Sequence, residues 1–147
     1  MKTVDITEKS VTQREAVSTG KVIMQAATLQ LIRENKLPKG DVLTASRLAG
    51  INAAKQTHHL IPLCHPLLIE HVAVDFHLTD NPPLVIITAT VKGSGKTGFE
   101  MEALTAVTIS ALNIYDMCKP IDQTLSLENI HLVKKSGGKS GTVTYKV

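Results

Sequence analysis

The side chains best suited to proton and phosphate chemistry stand at the ends of apolar runs. Asp116 and Lys119 are three residues apart at the close of one such run, and Glu102, beside Glu100, stands near its start. Lys39 directly precedes Gly40-Asp41, and His65 sits in the tripeptide Leu63-Cys64-His65 between Pro62 and Pro66. Paired carboxylates and amines move protons when their neighbours shift their pKa values toward neutrality. Lysines also offset the charge that builds on a phosphate chain. Each group has a plainer reading as well. Asp-x-x-Lys is how a solvated helix end looks, Lys39 could be an ordinary loop lysine, and His65 could be a packed, hydrogen-bonded histidine.

The element that must position most of these groups runs from Phe99 to about Cys118, after the glycine-rich stretch Gly93-Ser94-Gly95-Lys96-Thr97-Gly98, which reads as a turn. Pro120 stops it, because proline lacks the N–H and its ring clashes with the preceding turn. Ala103, Leu104, Ala106, Val107, Ile109, Ala111, Leu112, Ile114 and Tyr115 form an apolar stripe wide enough for a helix buried on most sides. The length would suffice for a bilayer, but Glu100, Glu102, Asp116 and Lys119 at its ends argue for the central helix of a soluble domain. Glu102 in the first turn is favoured by the helix dipole, whereas Asp116 in the last turn is disfavoured and should hold its proton more tightly. Fourteen residues at ~1.5 Å each place the two carboxylates roughly 20 Å apart. One compact site cannot use both from a single straight helix. Either they serve two ends of a long ligand, or two copies of the chain bring opposite tips together.

Elsewhere, Arg14 to Met24 sets Ala16, Ser18, Gly20, Val22 and Met24 on one side. Thr12-x-x-Glu15 has the spacing of a capping box, but Gly20 and the β-branched content predict a strand. Gln25 to Glu34 predicts a short helix with Ala26, Leu29 and Ile32 inward. A second helix starts at the N-cap Asp41 and runs to about Thr57, burying Val42, Ala45, Leu48, Ala49 and Ala53. Lys39 lies beside that N-terminus, where anions bind readily. The prolines push Leu60 to Leu67 toward an extended run, with Leu63 and His65 pointing one way and Cys64 the other. Ile69–Leu78 and Leu84–Lys92 read as a hairpin around Asp80-Asn81-Pro82-Pro83. A last strand is expected near Ile130–Lys135, followed by a glycine-rich tail in which Thr142–Val147 could add a short strand. The order β-α-α-β-β-α-β, less one helix, is the ferredoxin-like β-α-β-β-α-β arrangement: an α+β fold with an antiparallel sheet and helices on one face. The uncovered face calls for a partner subunit. One domain over 1–147 is expected, with 1–12 and 136–147 loose.

The chain has 147 residues, 43% hydrophobic and 20% charged, with a formal net charge of +3. With two Phe, two Tyr and no Trp, stacking on nucleic-acid bases has little to work with. Lys134, Lys135 and Lys139 suit a small phosphorylated ligand better than a duplex. No signal pattern opens the chain, and Cys64 and Cys118 make no disulfide framework, so the expectation is cytoplasmic, with neither nucleic-acid nor membrane partners. His58, His59, Cys64 and His65 lack zinc-ligand spacing, and no metal site is expected. Gly93-Ser94-Gly95-Lys96-Thr97 imitates a P-loop, but Thr90 stands where the motif needs its first glycine.

Together, Lys39-Gly40-Asp41-Val42, Leu60-Ile61-Pro62-Leu63-Cys64-His65-Pro66-Leu67, Lys96-Thr97-Gly98 through Glu100-Met101-Glu102-Ala103-Leu104-Thr105 to Tyr115-Asp116-Met117-Cys118-Lys119, and Lys135 to Gly141 closely resemble the molybdenum cofactor biosynthesis protein C family, the cyclic pyranopterin monophosphate synthases. The resemblance runs from Val4 over nearly the whole chain. Phe99 departs where valine is common, and His58-His59 falls where the family varies. The resemblance implies a lyase that converts a 3',8-cyclised 7,8-dihydroguanosine triphosphate, made by a separate radical enzyme, to cyclic pyranopterin monophosphate and diphosphate. It implies that Leu63, Cys64, His65, Met101 and Glu102 line the substrate pocket. Asp116 would be catalytic with Lys119 as acid–base partner, and Lys39 and Lys135 would touch phosphates or assist proton transfer. It further implies a homohexamer, a trimer of dimers with sites at subunit boundaries, and no cofactor beyond magnesium that can accompany the triphosphate. A reading from another class is a nucleotide-binding regulatory module without turnover.

Overall fold

The alternation in the first strand decides what faces the core. In a computed structural model describing residues 1–145, β1 (Thr12–Ile23) buries Ala16, Ser18, Gly20 and Val22 on one side, as expected. It lies between β3 (Pro83–Gly95) and β4 (Ser126–Ser136), and β2 (Leu68–Asp80) pairs the far side of β3. With the two-residue β5 (Val143–Thr144) the sheet order is β2-β3-β1-β4-β5, and every pairing is antiparallel. Without β5 this is the ferredoxin-like order. The two longest helices, α2 (Val42–Lys55) and α4 (Glu100–Cys118), pack on the face carrying Ala16, Val22, Val85, Ile87, Ala89 and Val91. Short helices α1 (Ala26–Arg33) and α3 (Thr57–Leu60) complete the set. No helix among the described residues is long and apolar enough to cross a membrane.

Small side chains determine how α2 meets α4. Leu48 and Ala49 were expected to be inward, but Leu48 is 59% exposed and the buried positions are Val42, Ser46, Gly50, Ala53 and Ala54. A Cβ on Gly50 would run into Ser110 Oγ and would lie 2.9 Å from the Ala106 carbonyl. The backbones therefore approach too closely for a leucine between them. Ser110 Oγ uses the proximity to donate to the Ser46 carbonyl at 2.9 Å. Asp41 caps α2, accepting from Thr44 N at 3.1 Å. The helix ends at Lys55, short of the expected Thr57, and α3 resumes at Thr57. In α1, Leu29 and Ile32 are buried as expected, while Thr28 takes the place foreseen for Ala26.

The glycine-rich stretch is the other departure. Gly93 and Gly95 belong to β3, not to a turn. A Cβ on Gly93 would meet the Phe99 ring and the Leu68 carbonyl, each at 2.6 Å. Glycine is needed there so that the fully buried Phe99 can fit beneath the strand at the start of α4. The last long strand begins at Ser126, earlier than expected, and Asn129 takes φ 53° where its register slips against β1. Lys146 and Val147, the end of the tail expected to be loose and to hold a short strand, lie outside the described residues.

Beyond α4, Asp122 ties the chain back to the start of α1. Its Oδ2 accepts from Gln25 N at 2.9 Å and Thr28 Oγ1 at 2.7 Å, and its Oδ1 accepts from Thr124 N and Thr124 Oγ1. Burial pushes its pKa up, but these four bonds outweigh it and hold the carboxyl at about 2. The depressed value means that Asp122 stabilises the fold above its unfolded pKa and loses that contribution as pH falls through about 2. Asp122→Ala is expected to lower the unfolding free energy by about 2 kcal/mol in urea melts near neutral pH. The gap from wild type should narrow as pH falls from 3.8 toward about 2, and a gap that stays constant across that range would contradict the assignment.

Candidate active site

At the C-terminal tip of α4, one carboxylate is held between two ammonium groups. Lys39 Nζ donates to Asp116 Oδ2 at 2.9 Å and to the Asp116 main-chain carbonyl at 2.9 Å. Lys119 Nζ lies 3.1 Å from Asp116 Oδ1. Lys39 reaches this point because the loop after α1 ends at Gly40, whose φ of 103° turns the chain into α2. By bonding a terminal carbonyl, Lys39 also places a cation where the helix dipole is negative. Asp116 was expected to hold its proton more tightly. Instead, the hydrogen bonds from Lys39 and Lys119 lower its pKa from the ordinary value. The two cations outweigh the dipole, and the group is a carboxylate at neutral pH. Asp116 and Lys119 face a cleft of about 390 Å³ with Ile109, Leu112, Asn113 and Tyr115.

The other tip is built differently. Pro62 and Pro66 do not give an extended run; Cys64 N bonds back to the Ile61 carbonyl at 3.2 Å, forming a turn. Consequently Leu63, Cys64 and His65 all line one cleft of about 340 Å³, rather than alternating, together with Met101. Glu102 stands behind this wall. It is 3% exposed, its Oε2 lies 3.9 Å from Cys64 Sγ, and its Oε1 is buried without a hydrogen-bond partner among the described residues. Loss of water pushes the Glu102 pKa up to about 7, and Glu100 adds to the shift. Here burial outweighs the helix dipole that was expected to favour the charge. Burial, with Glu102 next to it, also pushes the Cys64 thiol up. Cys64 is therefore a wall and a hydrogen-bonding group, not a ready nucleophile.

A third cleft, of about 710 Å³, adjoins the second, and both are lined by Lys9, Thr97, Gly98 and Glu100. Lys135 and Lys139 come to it from the chain's end, and Arg14 from β1. Lys135 Nζ is 3.7 Å from Glu100 Oε1. Lys134, grouped with Lys135 in the sequence, points to the opposite face of the sheet and pairs with Glu15. Successive positive φ values at Gly137 and Gly138 let the chain pack against Arg14, whose guanidinium would lie 2.6 Å from a Cβ on Gly138. Sequence reasoning passed over Arg14 and Lys9, because only the fold brings strand β1 and the N-terminal arm beside the end of the chain.

The nine expected site residues therefore fall into two groups. Leu63, Cys64, His65 and Met101 line one of two joined clefts and Lys135 the other, with Glu102, expected to line the pocket, buried behind Cys64 instead, while Lys39, Asp116 and Lys119 stand at the far end of α4. The cleft facing Asp116 shares no lining residue with the other two. Among the described residues no cluster of three or more His, Cys, Asp or Glu is placed to hold a metal ion.

The model of the MoaC family matches residues 3–138. A cyclic pyranopterin monophosphate synthase of Chloroflexus aurantiacus is 55% identical over 138 residues, covering 94% of this chain and 85% of that protein. The synthase of Roseiflexus castenholzii is 55% identical over 140 residues, covering 95% of this chain and 89% of the relative. That of Thermoanaerobacter pseudethanolicus is 53% identical over 138 residues, covering 94% and 87%.

The state of Glu102 can be tested through stability. Its folded pKa is raised, so its contribution is fully present below the unfolded value and is lost as pH rises through about 7. Glu102→Gln is expected to match wild type in urea melts near pH 4 and to be more stable by up to about 3 kcal/mol near pH 8. An equal difference at both pH values would contradict a buried carboxyl that resists ionisation.

Proposed function

The chain belongs to the MoaC family, and we propose that it is a cyclic pyranopterin monophosphate synthase, a lyase in molybdenum cofactor biosynthesis. Its substrate is a 3',8-cyclised 7,8-dihydroguanosine triphosphate, supplied in the cytoplasm by a separate radical enzyme, and its products are cyclic pyranopterin monophosphate and diphosphate. The observation that carries the mechanism is the carboxylate of Asp116 held between Lys39 and Lys119. Rearranging a purine-derived ring requires proton donors and acceptors within reach of one another. Asp116, held ionised, accepts and orients; the two ammonium groups donate. Closing the cyclic phosphate joins a substrate oxygen to the α-phosphorus and breaks the bond from that phosphorus to the diphosphate. Lys135 and Lys139 in the large cleft neutralise the departing charge. The reading gives the chain no cofactor of its own, and magnesium, where it accompanies the triphosphate, comes as part of the substrate.

The site is completed between subunits. Glu102 and Asp116 are fourteen positions apart on one continuous helix, about 20 Å, so the acid–base cluster of one copy serves the Leu63–His65, Met101 and Lys135 clefts of another. A hexamer built as a trimer of dimers meets that need. The sheet face opposite the helices, with half-buried Val17, Thr19, Ile86 and Thr88, is left uncovered by the described elements of one chain and is available for such packing.

Asp116→Asn should leave the thermal midpoint unchanged and cut product formation by about a thousandfold or more, read as diphosphate released from the cyclised nucleotide. Full activity in that variant would refute the assigned role. Binding by wild type without diphosphate release would instead favour a regulatory module.

A further inference from the structure

The glycines of the Gly-Ser-Gly-Lys-Thr stretch belong to strand β3, and its lysine is engaged elsewhere. Lys96 Nζ donates to the Thr7 carbonyl at 3.2 Å, across 89 positions of sequence. The segment it holds is preformed. Asp5 Oδ1 accepts from Thr7 N at 2.9 Å and Thr7 Oγ1 at 2.6 Å, an Asx-type turn, and Lys9 N closes the next turn on the Ile6 carbonyl at 3.1 Å. Residues 1–11 form no helix or strand, yet Val4 and Ile6 line the cleft that holds Leu63, Cys64 and His65, and Lys9 lines both joined clefts. Among the described hydrogen bonds, the Lys96 bond is the one joining residues 1–11 to the rest of the chain. The Lys96 backbone is fixed in turn: Arg14 Nε donates to the Gly95 carbonyl at 3.1 Å and Arg14 Nη2 to the Lys96 carbonyl at 3.4 Å.

We propose that Lys96 is a positioning residue that fastens the Val4–Ser10 arm over the substrate clefts, so that Ile6 closes the apolar wall and Lys9 stands at the seam between the clefts. The arm supplies ground-state binding and takes no part in the proton transfers at Asp116. Removing its fastening therefore weakens KM and spares kcat.

Lys96→Met and Ile6→Ser, alone and combined in the full chain, test this by steady-state kinetics with the cyclised nucleotide, thermal melting, and amide hydrogen exchange of residues 6–9. Each single variant is expected to raise KM about tenfold with kcat within about twofold of wild type. The double variant should raise KM no more than the more impaired single variant does, because both act through one arm. Exchange at Lys9 N should accelerate in Lys96→Met while the melting midpoint holds. A KM unchanged in Lys96→Met, or KM effects that multiply in the double variant, would overturn the proposal. The kinetic arm rests on the proposed reaction and the exchange arm does not: if wild type turns nothing over, that reading fails separately. Undiminished protection of Lys9 N in Lys96→Met then overturns the fastening.

Discussion

A helix whose middle is buried can carry ionisable groups only at its ends, and α4 imposes that constraint on the whole molecule. Ala103, Ala106, Val107, Ala111 and Ile114 are all fully inaccessible, packed between α2 and the sheet. Charge in that stretch would lose its hydration with nothing to replace it. The ionisable groups of α4 are thereby divided between two tips separated by the length of the helix. Everything else serves to furnish those tips: the Lys39 loop and the Asp122 anchor at one, and the Cys64 turn, the end of β3 and the end of β4 at the other.

The tips treat similar carboxyls in opposite ways. Glu102 is shut away from water and pushed toward the neutral acid, with the Cys64 thiol 3.9 Å from one oxygen. Asp116 is half exposed and clamped by two lysines, so it remains ionised. Helix dipole arguments alone predict the reverse in both cases. The dipole contributes about 0.3–1 kcal/mol at an exposed helix end; loss of hydration overrides it at Glu102, and the two lysines set the opposite direction at Asp116. Environment therefore decides the acid–base character, and position along the helix decides only which environment a residue meets.

Much of the scaffold was legible in the residues. Alternation in Ala16 to Val22 and in the 69–78 and 84–92 hairpin set the strands, and the Phe99–Cys118 stripe set the central helix. Candidate site residues could be named because motifs such as Leu63-Cys64-His65 and Met101-Glu102 are distinctive. What was not legible depended on approach distances. Leu48 reads as core by periodicity, and only the closeness of α2 to α4 at Gly50 displaces it. Gly93 and Gly95 read as a turn, and only the Phe99 ring beneath them explains glycine within a strand. Lys39 and Asp116 are 77 positions apart, and nothing local announces that they meet.

The central claim is that opposite tips of α4 from neighbouring copies form one working site. Subunit mixing tests it most directly: Asp116→Asn and Lys135→Ala proteins, each expected to be inactive alone, are unfolded together, refolded and assayed for diphosphate release. Sites shared between subunits predict that the mixture regains a substantial fraction of wild-type activity, because some interfaces receive both intact tips. A mixture as inactive as its parents at every ratio, despite confirmed co-assembly, would contradict the account.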